Sequence, residues 1–209
     1  MSTAAVIFDC DGTLVDSEPL SALVFAEALA EEGLSITADQ ALAAFRGRRM
    51  ALCLDHAATL LGRPLPAHFE PGLRQRTTDA FRNRLQVIEG AAALLSALRH
   101  PFCVASNAPR EKTEFSLTIT GLRPFFGDRV FSAYEVNSWK PDPGLFLHAA
   151  ESLAVAPHRC LVVEDSEAGV TAAVAAGMRV VALLPEGPAP WLPKGVAAIR
   201  RLLEVADHL

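Results

Sequence analysis

Five short apolar runs, residues 4–8, 102–105, 130–131, 161–163 and 180–184, each stop at polar or turn-forming residues, and stretches with helical spacing separate them. Strands that are apolar from end to end, rather than alternating, are buried on both faces, and the intervening helices supply the cover. The pattern predicts an α/β fold with a Rossmann-like parallel sheet core. Gly121 follows an expected helix over 111–120 and Gly177 one over 167–176, as the left-handed position beyond a helix end favours glycine. A further helix is expected over 142–153.

One interval breaks the alternation. Residues 17–87 hold no strand-like run but four amphipathic helical stretches, 20–32, 38–45, 51–61 and 71–85. The economical division is a small α-helical cap domain, 17–87, inserted after the first strand of a core made of 1–16 and 88–209. Pro19 and Gly90 mark its junctions. A chain of 209 residues that is 51% apolar has the length of one domain plus such an insert. Beyond about residue 185 the sequence is uninformative, and 185–193 reads as a proline-rich surface loop.

A net charge of −5 offers no general attraction to nucleic acid or anionic membrane. Cys10, Cys53, Cys103 and Cys160 form no CxxC pair, so their spacing suggests neither a zinc site nor a disulfide framework. They read as reduced thiols. The chain begins on an apolar strand without the pattern of a signal peptide, and no run approaches the length of a membrane span, so the expected location is the cytoplasm.

The first strand runs into Asp9-Cys10-Asp11-Gly12-Thr13. Residues i and i+2 of an extended segment project the same way, so both carboxylates face one substrate at the carboxyl edge of the sheet. One can attack while the other moves protons. The second strand ends in Ser106-Asn107, a hydroxyl and an amide able to donate to phosphate oxygens, although the same pair also starts turns. Lys140, one of only three lysines, sits in a proline-flanked loop, Trp139-Lys140-Pro141-Asp142-Pro143, where its ammonium could approach a phosphoryl group. The fourth strand ends in Glu164-Asp165. With Asp9 and Asp11 these form a hard-oxygen set suited to Mg2+. Each signal has a bland reading, a surface loop, a cap or a solvated lysine. Their recurrence at the ends of strands of one sheet is what a purely structural account leaves unexplained.

The stretches DCDGTLVDS from Asp9, SN at Ser106, WKPDP around Lys140 and EDSEAGVTAAVAAG from Glu164 resemble, in order and spacing, the haloacid dehalogenase superfamily, in its phosphatase branch with a helical cap. The resemblance implies that Asp9 attacks phosphorus and that Asp11 protonates the leaving oxygen and then activates water. It implies that Ser106 and Lys140 bind the phosphoryl group, to which the strand end adds Asn107 as a candidate, and that Asp165, with Glu164, holds magnesium beside Asp9 and the Asp11 carbonyl. Asp11 disfavours dehalogenation, because haloacid dehalogenases of this fold lack that second aspartate. The insert contains no lysine, which argues against a Schiff-base phosphonatase.

Between Arg46 and Arg84 stand eight arginines against three acids, a basic stretch in an acidic chain. Guanidinium forks suit carboxylate or a second phosphate. Arg46, Arg49 and Arg76 are the candidates for a substrate's distal anion, whereas Arg74, Arg82 and Arg84 read as a solvated helix face. The expected function is Mg2+-dependent hydrolysis of a small soluble anionic phosphometabolite, and the sequence most resembles the family's sugar-phosphate phosphatases, those for 6-phosphogluconate in particular. A phosphosugar mutase resembling β-phosphoglucomutase shares every core residue and is the nearest alternative; a non-catalytic binding module is the alternative of another class. A monomer is the default for capped relatives.

Overall fold

A computed structural model describes residues 2–209 and divides into two compact units, residues 2–15 with Val87–Leu209, and Asp16–Gln86. In the first unit, six parallel strands form one sheet: β1 Ala5–Phe8, β2 Phe102–Ser106, β3 Val130–Ser132, β4 Cys160–Glu164, β5 Arg179–Leu183 and β6 Ala197–Ile199. β1, β2 and β4 are buried along their whole length, which is why their sequences are apolar up to the last residues of β2 and β4, Ser106 and Glu164. The expected strands are present to within a residue or two. β6 was not legible: three small or branched residues after a proline-rich loop carry no pattern of their own.

The strand order is β3-β2-β1-β4-β5-β6. The chain builds outward from β1 through β2 to β3, then crosses to the other side of β1 and continues through β4. A crevice opens at such a reversal, between the carboxyl ends of β1 and β4, and is the place where open α/β sheets bind ligands. The register is fixed by pairs such as Phe8↔Val163 and Phe8↔Val104, so the residues following β1, β2 and β4 emerge at one edge.

The second unit is helical: α1 Glu18–Glu31, α2 Ala38–Phe45, α3 Met50–Leu61 and α4 Phe69–Arg84. α1 starts with Glu18 and Pro19 in its first turn, where a carboxylate suits the dipole and proline costs no hydrogen bond. α2 opens with a capping box: Thr37 Oγ1 accepts from the Gln40 N–H at 3.1 Å, and the Gln40 side chain accepts from the Thr37 N–H at 2.8 Å. Phe25 centres the unit's own core, its ring 4.6 Å from that of Phe45 and 6.0 Å from that of Phe69. The chain leaves and rejoins the sheet unit at adjacent points, where Val15 and Val87 form an antiparallel bridge. Inside the helical unit, the Asp16 N–H donates to the Gln86 carbonyl at 2.9 Å.

The remaining helices cover the sheet: α5 Ala91–Ala97, α6 Arg110–Ile119, α7 Arg123–Phe126, α8 Ala133–Val136, α9 Gly144–Ser152 and α10 Glu167–Ala175. α9 begins two residues later than the sequence suggests, with Pro143 as its N-cap. α10 is capped by Ser166, whose hydroxyl accepts from the Gly169 N–H at 3.1 Å. No helix among the described residues is long and apolar enough to cross a membrane.

Candidate active site

The site is built at the reversal point. The Asp9 N–H donates to the Val163 carbonyl at 2.9 Å, extending the β1–β4 ladder by one bond. The chain then turns at once: the Cys10 carbonyl accepts from the N–H groups of Leu14 and Val15 at 2.9 and 3.1 Å. Gly12 lies in this turn with φ +81°, and a Cβ there would stand 2.4 Å from Asp165 Oδ2. Glycine is therefore required on two counts, backbone conformation and the close approach of a carboxylate from the β4 end. Thr13 Oγ1 donates to Asp165 Oδ1 at 3.2 Å, tying the two loops together.

Lys140 is 6% exposed and joins the carboxylates. Its Nζ lies 2.5 Å from Asp9 Oδ1 and 2.8 Å from Glu164 Oε1, and 4.9 Å from the centre of the Phe146 ring on α9. Burial pushes Asp9 well above the usual carboxylate range against the pull of Lys140, with the charges of Glu164 and Asp165 adding to the rise. Burial would also strip the proton from Lys140, but Asp9 and Glu164 overcome it and hold the ammonium above its ordinary value. The site is thus one fixed cation among three buried carboxylates.

The structure places every core residue singled out in the sequence at this edge, but gives some of the side chains other partners. The Glu164 carboxylate turns toward Lys140 and the start of α10. Its Oε1 meets Lys140, and its Oε2 accepts from the N–H groups of Asp165 and Ser166, both at 2.8 Å, and from Ser166 Oγ at 2.9 Å. α10 packs so tightly here that a Cβ on Gly169 would fall 1.7 Å from Glu164 Oε1. Asp11 is also occupied: both of its oxygens accept from Lys112 Nζ at 2.8 Å. Of the four residues expected at the metal, Asp9 and Glu164 thus meet Lys140 and Asp11 meets Lys112. Among the described residues, no three His, Cys, Asp or Glu side chains stand together so as to hold a metal ion.

Asn107 also meets Lys140: its side-chain carbonyl accepts from the Lys140 N–H at 2.9 Å and its amino group donates to the Lys140 carbonyl at 3.3 Å, so the amide holds the lysine loop. Ser106 Oγ accepts from the Ala108 N–H at 3.0 Å, which leaves its own proton to be donated elsewhere. The loop is held from β3, where Ser132 Oγ donates to the Ala108 carbonyl at 2.7 Å.

In the helical unit, Arg46 pairs with Glu18 at 2.5 Å, and Arg76 makes a two-pronged pair with Glu31, both bonds 2.7 Å. Arg76 is thereby committed to joining α4 to α1. Arg49 is the N-cap residue of α3. The residue that the sequence reading missed is Lys112. Within Arg-Glu-Lys-Thr-Glu it reads as part of a solvated helix face, and the only hint was the scarcity of lysine in the chain.

A family model described as haloacid dehalogenase-like hydrolase matches residues 3–177. The 6-phosphogluconate phosphatase of Escherichia coli K12 is 37% identical over 181 residues, covering 84% of this chain and 80% of that protein. A fructose-1-phosphate phosphatase of the same organism is 33% identical over 183 residues, 85% of this chain and 95% of that one. Among solved structures, a haloacid dehalogenase family hydrolase from Deinococcus radiodurans R1, with bound phosphate and sodium, is 33% identical with a TM-score of 0.77, covering 98% of this chain and 95% of that one. A haloacid dehalogenase-like protein from Agrobacterium tumefaciens C58 superposes with a TM-score of 0.84 at 31% identity, over 99% of this chain and 97% of that one. The strand order, the paired aspartates after β1 and these similarities lead to one conclusion: the chain belongs to the haloacid dehalogenase-like hydrolase family, as one of its phosphatases.

Proposed function

We propose that the enzyme hydrolyses a small anionic sugar phosphate or sugar-acid phosphate, with 6-phosphogluconate the first candidate, by way of an aspartyl phosphate on Asp9 and with Mg2+ as cofactor. The observation that carries the reading is the buried contact of Lys140 with Asp9 at the reversal point of the sheet. A carboxylate can approach a phosphoryl group only if positive charge offsets the repulsion, and Lys140 is fixed where it does so. The relatives named above act on phosphorylated sugars or a sugar acid, which supports the substrate class.

In the first step an Asp9 oxygen attacks phosphorus, the bond from phosphorus to the leaving oxygen breaks, and Asp11, in its protonated form, gives that oxygen a proton and becomes a carboxylate. In the second, water attacks the phosphoryl group, Asp11 takes a proton from the water, and the Asp9 carboxylate is restored. Ser106 Oγ, already accepting from Ala108, is poised to donate to a phosphoryl oxygen.

The residues present fit Mg2+. This ion keeps several waters and needs one or two carboxylates rather than a full cage, so the lack of a three-carboxylate cluster does not count against it. Asp9 and Asp165 are close enough for the charge of one to raise the pKa of the other, an arrangement that a hard cation relieves. Asp9 and Asp165 would hold the ion together with the Asp11 carbonyl, and when bound it supplies positive charge to the phosphoryl oxygens.

The test is phosphate release from 6-phosphogluconate, fructose 1-phosphate, glucose 1-phosphate, phosphoglycolate and p-nitrophenyl phosphate, with Mg2+ and with excess chelator. Magnesium-dependent release, fastest from a sugar or sugar-acid phosphate, is expected. Isomerised glucose 1-phosphate without free phosphate would instead mark a mutase and sink the reading.

A further inference from the structure

We propose that Lys112 is a positioning residue for proton transfer: its ammonium fixes the Asp11 carboxylate in the orientation that serves the leaving oxygen. The inference rests on the phosphatase reading and on the role given there to Asp11.

Rotation about the last bond of an aspartate side chain is soft, so its carboxylate plane is poorly set by covalent geometry alone. Asp11 also lies beyond the end of β1, in the turn around Gly12, where an isolated bridge to Val15 holds its backbone but does not set the carboxylate plane. Lys112 acts on that plane by donating to both carboxylate oxygens at 2.8 Å. A proton donor misaimed by a fraction of an ångström loses much of its value, so such a restraint belongs to the chemistry and not to packing.

The route by which Lys112 arrives supports this role. It stands in the first turn of α6, beside Thr113, which is buried and fixes the rotation of the helix. α6 follows directly on the Ser106–Asn107 loop, so the segment that offers a hydroxyl to the phosphoryl group also orients the proton carrier. The choice of cation points the same way. Of nineteen basic residues only three are lysines, and of these Lys112 and Lys140 contact site carboxylates while Lys194 is exposed. An ammonium is a compact donor that bridges two oxygens without the planar demands of a guanidinium. The competing account, a half-exposed ion pair of small energetic worth, predicts at most a slight loss of stability and no chemical signature.

The chemical signature is dependence on the leaving group. A sugar alkoxide departs poorly without a proton, whereas p-nitrophenolate departs as the anion. The ratio kcat/KM, which reports events up to the first irreversible step, is therefore compared for p-nitrophenyl phosphate and for whichever of 6-phosphogluconate and fructose 1-phosphate the wild type hydrolyses faster. Lys112→Met is expected to lower the value for the sugar phosphate roughly 10- to 100-fold, within the range that general acid catalysis contributes. The loss for p-nitrophenyl phosphate is expected to be much smaller, and Lys112→Arg should recover part of the sugar-phosphate rate. Adding Lys112→Met to Asp11→Asn should cost nothing further, since the lysine acts through the aspartate. If Lys112→Met does not fold, Lys112→Gln, which retains a donor, carries the same comparison. Equal losses on both substrates, or no loss on either, would overturn the inference and leave the phosphatase reading intact. Absence of phosphate release by the wild type from any of these substrates would overturn both.

Discussion

The side-chain amide of Asn107 grips the backbone of Lys140 at both of its polar groups, accepting from the N–H at 2.9 Å and donating to the carbonyl at 3.3 Å. The end of β2 is thereby bolted to the loop that carries the site's buried cation. Asn107→Ala removes both bonds and should cost about 1–3 kcal/mol of stability. Because Lys140 is displaced relative to Asp9, kcat should fall by about 100-fold, more than the stability loss explains. Thermal melts beside steady-state kinetics on a sugar phosphate check this; unchanged kcat in a destabilised protein would reduce Asn107 to a structural role.

Asp9→Asn should lower activity by at least about a thousandfold, since an amide cannot form the phosphoenzyme. Its effect on stability runs the other way. A carboxyl whose pKa rises on folding stabilises the fold while it is protonated, and that contribution is complete below the unfolded pKa of about 3.9. It is lost as the pH climbs through the raised folded value. The Asp9 shift is upward, so in metal-free protein the Asn variant should gain on wild type as the pH rises from 4 to 8, while Lys140 keeps Glu164 as a partner. Melting temperatures of both proteins in chelator at the two pH values give the sign directly.

Gly169 is a helical position at which alanine should be harmful. Alanine in an exposed helix interior gains about 1 kcal/mol over glycine, yet here its Cβ would meet Glu164 Oε1 at 1.7 Å. The overlap should cost about 1–3 kcal/mol and move Glu164 off Lys140, lowering kcat as well. Gly72, inside α4, provides the control for backbone effects alone, since a Cβ there meets nothing within 4 Å.

We propose that Arg46 and Arg49 meet the second anion of the substrate. Replacing both with alanine should lower kcat/KM for 6-phosphogluconate about tenfold or more relative to a neutral sugar phosphate, the scale of one charge-assisted hydrogen bond. Arg76→Ala, which removes only the pair with Glu31, should leave that ratio unchanged. An unaltered ratio in the double variant would withdraw the assignment.

What the sequence conveyed depended on how local each signal was. Buried strands announce themselves residue by residue, as Ile7 and Val162 do, and Gly121 and Gly177 mark helix ends with φ values of +74° and +70°. The residue types at the strand ends were equally visible. The direction each side chain takes was not, because it is set by partners far away in the chain. Asn107 and Glu164 meet Lys140 across 33 and 24 residues, and Asp11 meets Lys112 across 101. An amide beside a serine looks like a phosphate donor, and only the fold brings the distant backbone that both of its groups meet. Arg76 looked available for a ligand for the same reason, its partner Glu31 lying 45 residues earlier.

The antiparallel bridge between Val15 and Val87 has a consequence for how such an enzyme diversifies. Entry and exit of the helical unit lie side by side, like the two legs of a hairpin, so the sheet is indifferent to the length and sequence of what is threaded between them. Residues 16–86 can be exchanged without shifting the register of a single strand. A chain with a different helical segment grafted at these two valines should keep Asp9 in place at the end of β1.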